Sequence, residues 1–227
     1  MTYHGITQGR FLCRPNRFVA EVEIGGERCR CHVKNTGRCR ELLVEGARVI
    51  LQCAGESTRK TRYDLIAVEK DGMLINIDSQ APNRVLGEWA RESGFFGELT
   101  HIRPECTYHS SRFDFYLEAG ERRIFAEVKG VTLERDGIVL FPDAPTERGI
   151  KHIRELIEAA WEGYEAYLFF VVQMERCHLF MPNRATHPAF ADMLAEAAEQ
   201  GVSIHALCCR VTEDSLNILD EIPIRLE

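Results

Sequence analysis

The chain has 227 residues, 45% of them hydrophobic, and 28 Lys and Arg against 35 Asp and Glu give a formal net charge of −7. That length accommodates one large domain or two small ones around a sizeable core, and the negative balance excludes an indiscriminate polycation. No apolar run approaches the roughly 20 residues that span a bilayer, and the first residues lack the charged-then-apolar pattern of a secretory leader, so the expected location is cytoplasmic.

The average charge conceals an asymmetry. Residues 1–62 carry 12 Lys and Arg against 6 Asp and Glu, and the remainder 16 against 29. A basic module joined to an acidic one points to nucleic-acid contact through the first. The nine cysteines form no Cys-x-x-Cys pair, so reduced thiols are expected rather than a zinc site or a redox motif.

Alternating apolar residues predict short strands over 18–24, 28–34, 47–53, 63–68 and 73–78, punctuated by Gly25-Gly26, Glu45-Gly46 and Asp71-Gly72. Five short strands suit an OB-like barrel, a fold whose open face binds oligonucleotides. Three basic loops of this half are candidate nucleic-acid contacts: Arg14 and Arg17, then His32, Lys34, Asn35 and Arg38 around Thr36-Gly37, then Arg59 and Lys60. The competing reading of the second is a polar strand end, with Asn35 or Thr36 capping a short helix over 38–43.

Ala81-Pro82-Asn83 is read as the boundary between a first domain, 1–80, and a second, 81–227; helical spacing then runs over 85–96 and carries Glu88. The sequence from Ser111 to Lys129 holds two alternating runs around Gly120-Glu121, a hairpin signal with glycine where a type II′ turn needs it. Counting outward from an Ala119–Arg122 pair sets Asp114 opposite Glu127, on the face shared by Lys129. Opposed carboxylates repel, so the pair calls for a cation, a shared proton or the nearby ammonium. An Asp followed after a turn by Glu-x-Lys resembles the PD-(D/E)xK nuclease signature. There Asp114 and Glu127, with the Val128 carbonyl, would bind Mg²⁺ or Mn²⁺, while Lys129 assists the nucleophile or the developing charge.

Beyond the hairpin, 138–141 reads as a strand and Thr146 as a helix N-cap. The following helix places Ile150, Ile153, Leu156, Ile157, Ala160 and Trp161 on one stripe, leaving Lys151 to pair with Glu155. A strand over 167–174, a helix over 188–199 and a strand over 202–211 complete an α/β pattern.

The segments Arg14-Pro15-Asn16-Arg17-Phe18, His32 to Arg38, Arg59-Lys60-Thr61, Ala81-Pro82-Asn83, Ser111 to Asp114, Glu127 to Leu133 and Phe141 to His152 resemble, in order and spacing, the sugar fermentation stimulation protein A (SfsA) family. The resemblance spans the whole chain. It implies a two-domain α/β architecture, an OB-like barrel followed by a PD-(D/E)xK nuclease-like α/β domain, and it implies DNA, or RNA, as partner. It points to Glu88 as the acid on the helix ahead of the hairpin. It also draws Arg112 into the nucleic-acid contacts and sets Arg148, Lys151 and His152 near the scissile phosphate. Two departures stand out: Gly55 to Thr58 replaces a common Asn-Pro turn, and Ile150 replaces a common Gln. The reading is a DNA-binding protein with a Mg- or Mn-dependent phosphodiesterase site. Its alternative is a non-catalytic transcriptional regulator of maltose-type sugar utilisation with a vestigial site.

Overall fold

The structure is a computed structural model that describes residues 1–35, 37–55 and 61–227. Thr36, Arg59, Lys60 and the departure at 56–58 therefore lie outside the described residues.

In the first half, β1 (Ile6–Asn16), β2 (Val19–Ile24), β3 (Glu27–Val33), β4 (Arg48–Cys53), β5 (Tyr63–Lys70) and β6 (Met73–Asn76) form one sheet in the order β3-β2-β1-β4-β5-β6. A parallel pairing of β3 with β5, at Cys31–Tyr63 to Val33–Leu65, closes five of them into a barrel and leaves β6 appended to β5. Closure removes the open edges that would otherwise template aggregation. The strand that sequence reading passed over is β1, whose residues are mostly half-exposed or exposed; without a buried alternate face it has no clear period-two signal. No helix forms over 38–43, where the chain makes turns.

The second half opens with α1 (Ala81–Glu92), which begins four residues earlier than expected because Pro82 sits in its first turn, where the missing N–H costs nothing. Its mixed sheet has the order β15-β14-β12-β9-β8-β7, built from β7 (His101–Tyr108), β8 (Ser111–Ala119), β9 (Arg122–Val131), β12 (Glu165–Val172), β14 (Ser203–Val211) and β15 (Leu216–Glu221). The central strand β12 runs parallel to both β9 and β14 and is buried from Leu168 to Val172, as a strand covered on both faces must be. A smaller sheet joins β10 (Leu133–Arg135), β11 (Ile138–Phe141) and β13 (Leu179–Pro182).

Two helices, α2 (Glu147–Trp161) and α3 (Pro188–Glu199), complete the half. Thr146 caps α2 as expected, its hydroxyl accepting from Gly149 N–H at 3.0 Å. Ile150, Ile153, Leu156 and Ile157 are buried, but Trp161, expected on the same stripe, is 69% exposed at the helix end. Cys208 and Cys209 fall on opposite faces of β14, one in each of the two apolar clusters that flank the sheet. All nine cysteines are free thiols. Among the described residues no helix is long and apolar enough to cross a membrane.

The halves share a polar seam. Gln173, following β12, donates Nε2–H to Asn76 Oδ1 at 2.8 Å and to the Asp78 carbonyl at 3.1 Å, and it packs against Gly130, where a Cβ would lie 2.6 Å from Gln173 Oε1 and 2.8 Å from Pro82. Only glycine fits there.

Candidate metal centre and nucleic-acid interface

The hairpin of β8 and β9 has the expected register. Ala119 pairs with Arg122 and Phe115 with Ala126, and Gly120 takes a positive φ of 62°. One step beyond the last ladder pair, that register sets Asp114 against Glu127. There β8 parts from β9, and the Asp114 side chain supplies the acceptor that a strand carbonyl would otherwise provide: Val128 N–H donates to Oδ2 at 2.8 Å. Its other oxygen accepts from Asn83 Nδ2 at 2.6 Å. Asn83 belongs to the first turn of α1 and was read from sequence only as boundary punctuation.

Glu127 is 2% exposed. Its Oε1 receives Lys129 Nζ at 2.5 Å and His152 Nδ1 from α2. His152 in turn accepts at Nε2 from Arg148 Nε at 3.3 Å, which fixes the Nδ1–H tautomer and aims that proton at Glu127. The second carboxylate oxygen, Oε2, is buried and has no hydrogen-bond partner. One oxygen is thus clamped by two donors while the other stays bare.

The electrostatics follow from these contacts. Burial opposes the charged form of Glu127, but the His152 hydrogen bond and the Lys129 ammonium outweigh it and hold the pKa below the ordinary carboxylate value. Asp114 goes the other way. Burial, reinforced by the negative charge of Glu127, pushes it up to about 6 against the pull of Val128 N–H, Lys129 and Asn83. The two carboxylates therefore titrate apart.

Among the described residues no three or more His, Cys, Asp and Glu side chains gather as a metal cluster. A cation here would rest on Asp114, the bare Oε2 of Glu127, backbone carbonyl such as that of Val128, and water, the hard-oxygen set that Mg²⁺ and Mn²⁺ accept. The orphaned, buried Oε2 is the observation that fits such an ion.

The structure does not bring every candidate to this cluster. The Glu88 carboxylate lies 2.8 Å from the Met1 amino group, about 140° around α1 from Asn83. Lys151 donates to the Ser110 carbonyl at 3.0 Å and sits 3.9 Å from Glu155, the helix pair that spacing alone suggests. Arg112 lies 3.4 Å from Glu105 with both side chains exposed. Ile150 is buried in the core, so the position carries no polar role. His152 entered the sequence reading only through the resemblance; a signal in the chain itself is its i, i+4 spacing from Arg148 on the helix that follows the hairpin.

The basic loops of the barrel also sort into two kinds. Lys34 Nζ lies 2.6 Å from the buried Asp78 Oδ2, His32 Nδ1 lies 3.2 Å from Asp64, and Asn35 spans Ile77 O and Gly37 N at 2.9 and 2.7 Å. Arg14 is a tie. Its Nη1 donates to the Gly37 and Arg38 carbonyls at 2.9 and 2.7 Å, and its Nη2 to those of Arg17 and Asn35 at 2.6 and 2.8 Å. Arg17 and Arg38 are left without a carboxylate partner among the described residues, and both border a cleft of about 480 Å³ between the two halves. Its far wall includes Gly130, Thr132, Thr146 and Gln173, so it reaches the strand position next to Lys129.

Family models match both halves: "SfsA N-terminal OB domain" over residues 12–77 and "Sugar fermentation stimulation protein RE domain" over 80–215. The chain belongs to the sugar fermentation stimulation protein family. A sugar fermentation stimulation protein homolog of Desulfitobacterium hafniense is 59% identical over 100% of this chain and 99% of its own length. Its counterpart in Clostridium beijerinckii is 52% identical over the full length of both. The solved structure of Pyrococcus furiosus SfsA in complex with Ca²⁺ superposes with a TM-score of 0.90 at 28% identity, covering 99% of this chain and 98% of that one.

Proposed function

We propose that this SfsA family member binds nucleic acid, DNA foremost, and hydrolyses phosphodiester bonds at Asp114, Glu127 and Lys129 with Mg²⁺ or Mn²⁺. The observation that carries this reading is the bare, buried Oε2 of Glu127, set by register against an Asp114 whose pKa is pushed up to about 6. Glu155 Oε2 is likewise buried and unpartnered; what sets Glu127 apart is that its bare oxygen belongs to a carboxylate opposed by a second, Asp114, with Lys129 beside it. The Ca²⁺ complex of the Pyrococcus furiosus relative agrees with a divalent cation in this family.

When bound, such a cation polarises the phosphate and makes water more acidic. The chain's own residues do the rest. His152 and Lys129 hold Glu127 in its charged, oriented form, and Asn83 and Val128 N–H orient Asp114. The Lys129 side chain retains some exposure, which leaves its ammonium able to offset negative charge as it grows on the phosphate oxygens. Arg17 and Arg38 hold the strand's phosphates.

The test is incubation of the pure protein with end-labelled single-stranded, double-stranded and branched DNA, with Mn²⁺ or with EDTA. Cleavage that needs the metal and disappears in Asp114→Asn and Lys129→Ala is the expected result. Binding without cleavage of any substrate, in the wild type with metal, would return the protein to the class of non-catalytic regulators.

A further inference from the structure

We propose that the cleft between barrel and α/β domain is a track for a single-stranded polynucleotide, with Phe18 as a base-stacking platform and Arg17 and Arg38 as its phosphate clamps. This rests on the functional reading above and names the substrate form it takes.

Phe18 is 51% exposed on the turn between β1 and β2. A lone exposed apolar side chain is ordinary, so its surroundings must decide. Of the other exposed rings, Phe95 packs on Trp89, Phe96 and Phe169, and Trp161 donates its indole N–H to Gln200 at 3.2 Å. Among the described residues no ring or cation packs on Phe18. Yet its backbone is held firmly. Asn16 Oδ1 accepts from Phe18 N–H and Val19 N–H at 2.9 and 3.1 Å, Val33 N–H donates to the Phe18 carbonyl at 2.8 Å, and Arg14 grips the carbonyl of Arg17. An unpartnered aromatic ring carried on a fixed backbone has few torsions to order when a base stacks on it.

The clamps are set by the same tie. Arg14 binds the carbonyls of both Arg17 and Arg38, so the main-chain positions from which the two guanidinium groups reach out are tied together. They border the large cleft, and together with Arg40 they line an adjoining hollow of about 300 Å³. Among the described residues the cleft wall carries one carboxylate, Asp143, against Arg17 and Arg38, in a chain whose net charge is −7; the local balance is positive, as charge complementarity to a polyanion requires. A cavity of about 480 Å³ is of the size that holds a small ligand or nucleotide, and a single strand can turn an unpaired nucleotide into it, whereas a duplex keeps its bases paired inside the helix. A single strand laid between Arg17 and Arg38 can instead run along the cleft to Gly130, the residue after Lys129, with a base stacked on Phe18, the residue after Arg17.

The experiment is fluorescence anisotropy in EDTA, so that binding is read without cleavage, using labelled oligothymidylate, oligouridylate and a hairpin duplex of equal charge. The single strands should bind more tightly than the duplex, the tighter of the two naming the preferred sugar. Phe18→Ala should weaken single-strand binding roughly 5- to 140-fold, the range of one lost base stack, with the salt dependence unchanged, and Phe18→Tyr should restore it. Arg38→Ala should lower the log-log salt slope by about 0.7, one phosphate contact on a single strand. Equal binding of duplex and strand, insensitive to Phe18, would overturn the track and leave the wider nucleic-acid reading standing. No binding of any polynucleotide by the wild type would overturn both.

Discussion

His152 on α2 donates its Nδ1–H to Oε1 of Glu127 on β9, joining helix to hairpin through a contact in which both side chains are almost wholly buried. A buried carboxylate that loses one of its two donors keeps the cost of its burial without the compensation. His152→Ala is therefore expected to cost about 2–4 kcal/mol in urea denaturation, the range for breaking a buried charged hydrogen bond. Adding Glu127→Gln should recover part of that loss. Additive losses in the double-mutant cycle would show that the two residues do not act as a pair.

Asp114 supplies a pH dependence. Its folded-state pKa of about 6 stands above the ordinary 3.8, so between about pH 4 and about pH 6 the folded protein holds a proton that the unfolded chain has released. Stability from this group is greatest below that window and falls as pH rises through it, by up to about 3 kcal/mol before solvent screening. Metal-free Asp114→Asn should lack this component, so the stability difference between wild type and variant, followed by urea titration from pH 4 to 7, should favour the variant increasingly. A difference that stays flat would deny the shift.

Divalent cations should counter that loss. Mn²⁺ or Mg²⁺ should raise the melting temperature of the wild type at pH 7.5, by the mass-action term of about 2.7 kcal/mol at a hundredfold excess over Kd, and less at pH 5, where protons compete for Asp114. Glu127→Gln and Asp114→Asn should each shrink the response in differential scanning fluorimetry. Lys129→Ala should keep it, since removing a nearby positive charge does not weaken a cation site. An undiminished response in both carboxylate variants would move the metal elsewhere.

Lys34 and Arg38 are four residues apart in one basic loop, yet they should fail differently. Lys34 neutralises Asp78, whose side chain is 1% exposed, so Lys34→Ala should destabilise the fold by about 3 kcal/mol and lower nucleic-acid affinity only as far as it perturbs the cleft. Arg38→Ala should leave the melting temperature within about a degree and weaken binding. Comparable melting temperatures for both variants would contradict the buried pair.

The contrast shows what was legible in the chain. Periodicity located the hairpin, and counting from Gly120 fixed its register, because side-chain alternation and a two-residue turn leave no freedom once one face is buried. Thr146 and the stripe from Ile150 to Ile157 were equally plain. What the sequence could not show was partnership. Charge count treats Lys34 and Arg38 alike, and only the return of β6 past β3 reveals that one has Asp78 beside it. Asn83 read as a turn residue because Pro82 precedes it; the same proline, placed in the first turn of α1, aims the amide at Asp114. The strand β1 escaped notice because its buried face is intermittent.

Gln173 and Gly130 give the seam between the halves a further meaning. With no space for a single methyl between them, and with Asn76 and the Asp78 carbonyl held by the same amide, barrel and sheet meet at a close, hydrogen-bonded approach. On the single-strand proposal, the slot beside them would serve as a gauge, sizing a polymer by its cross-section before any base is read.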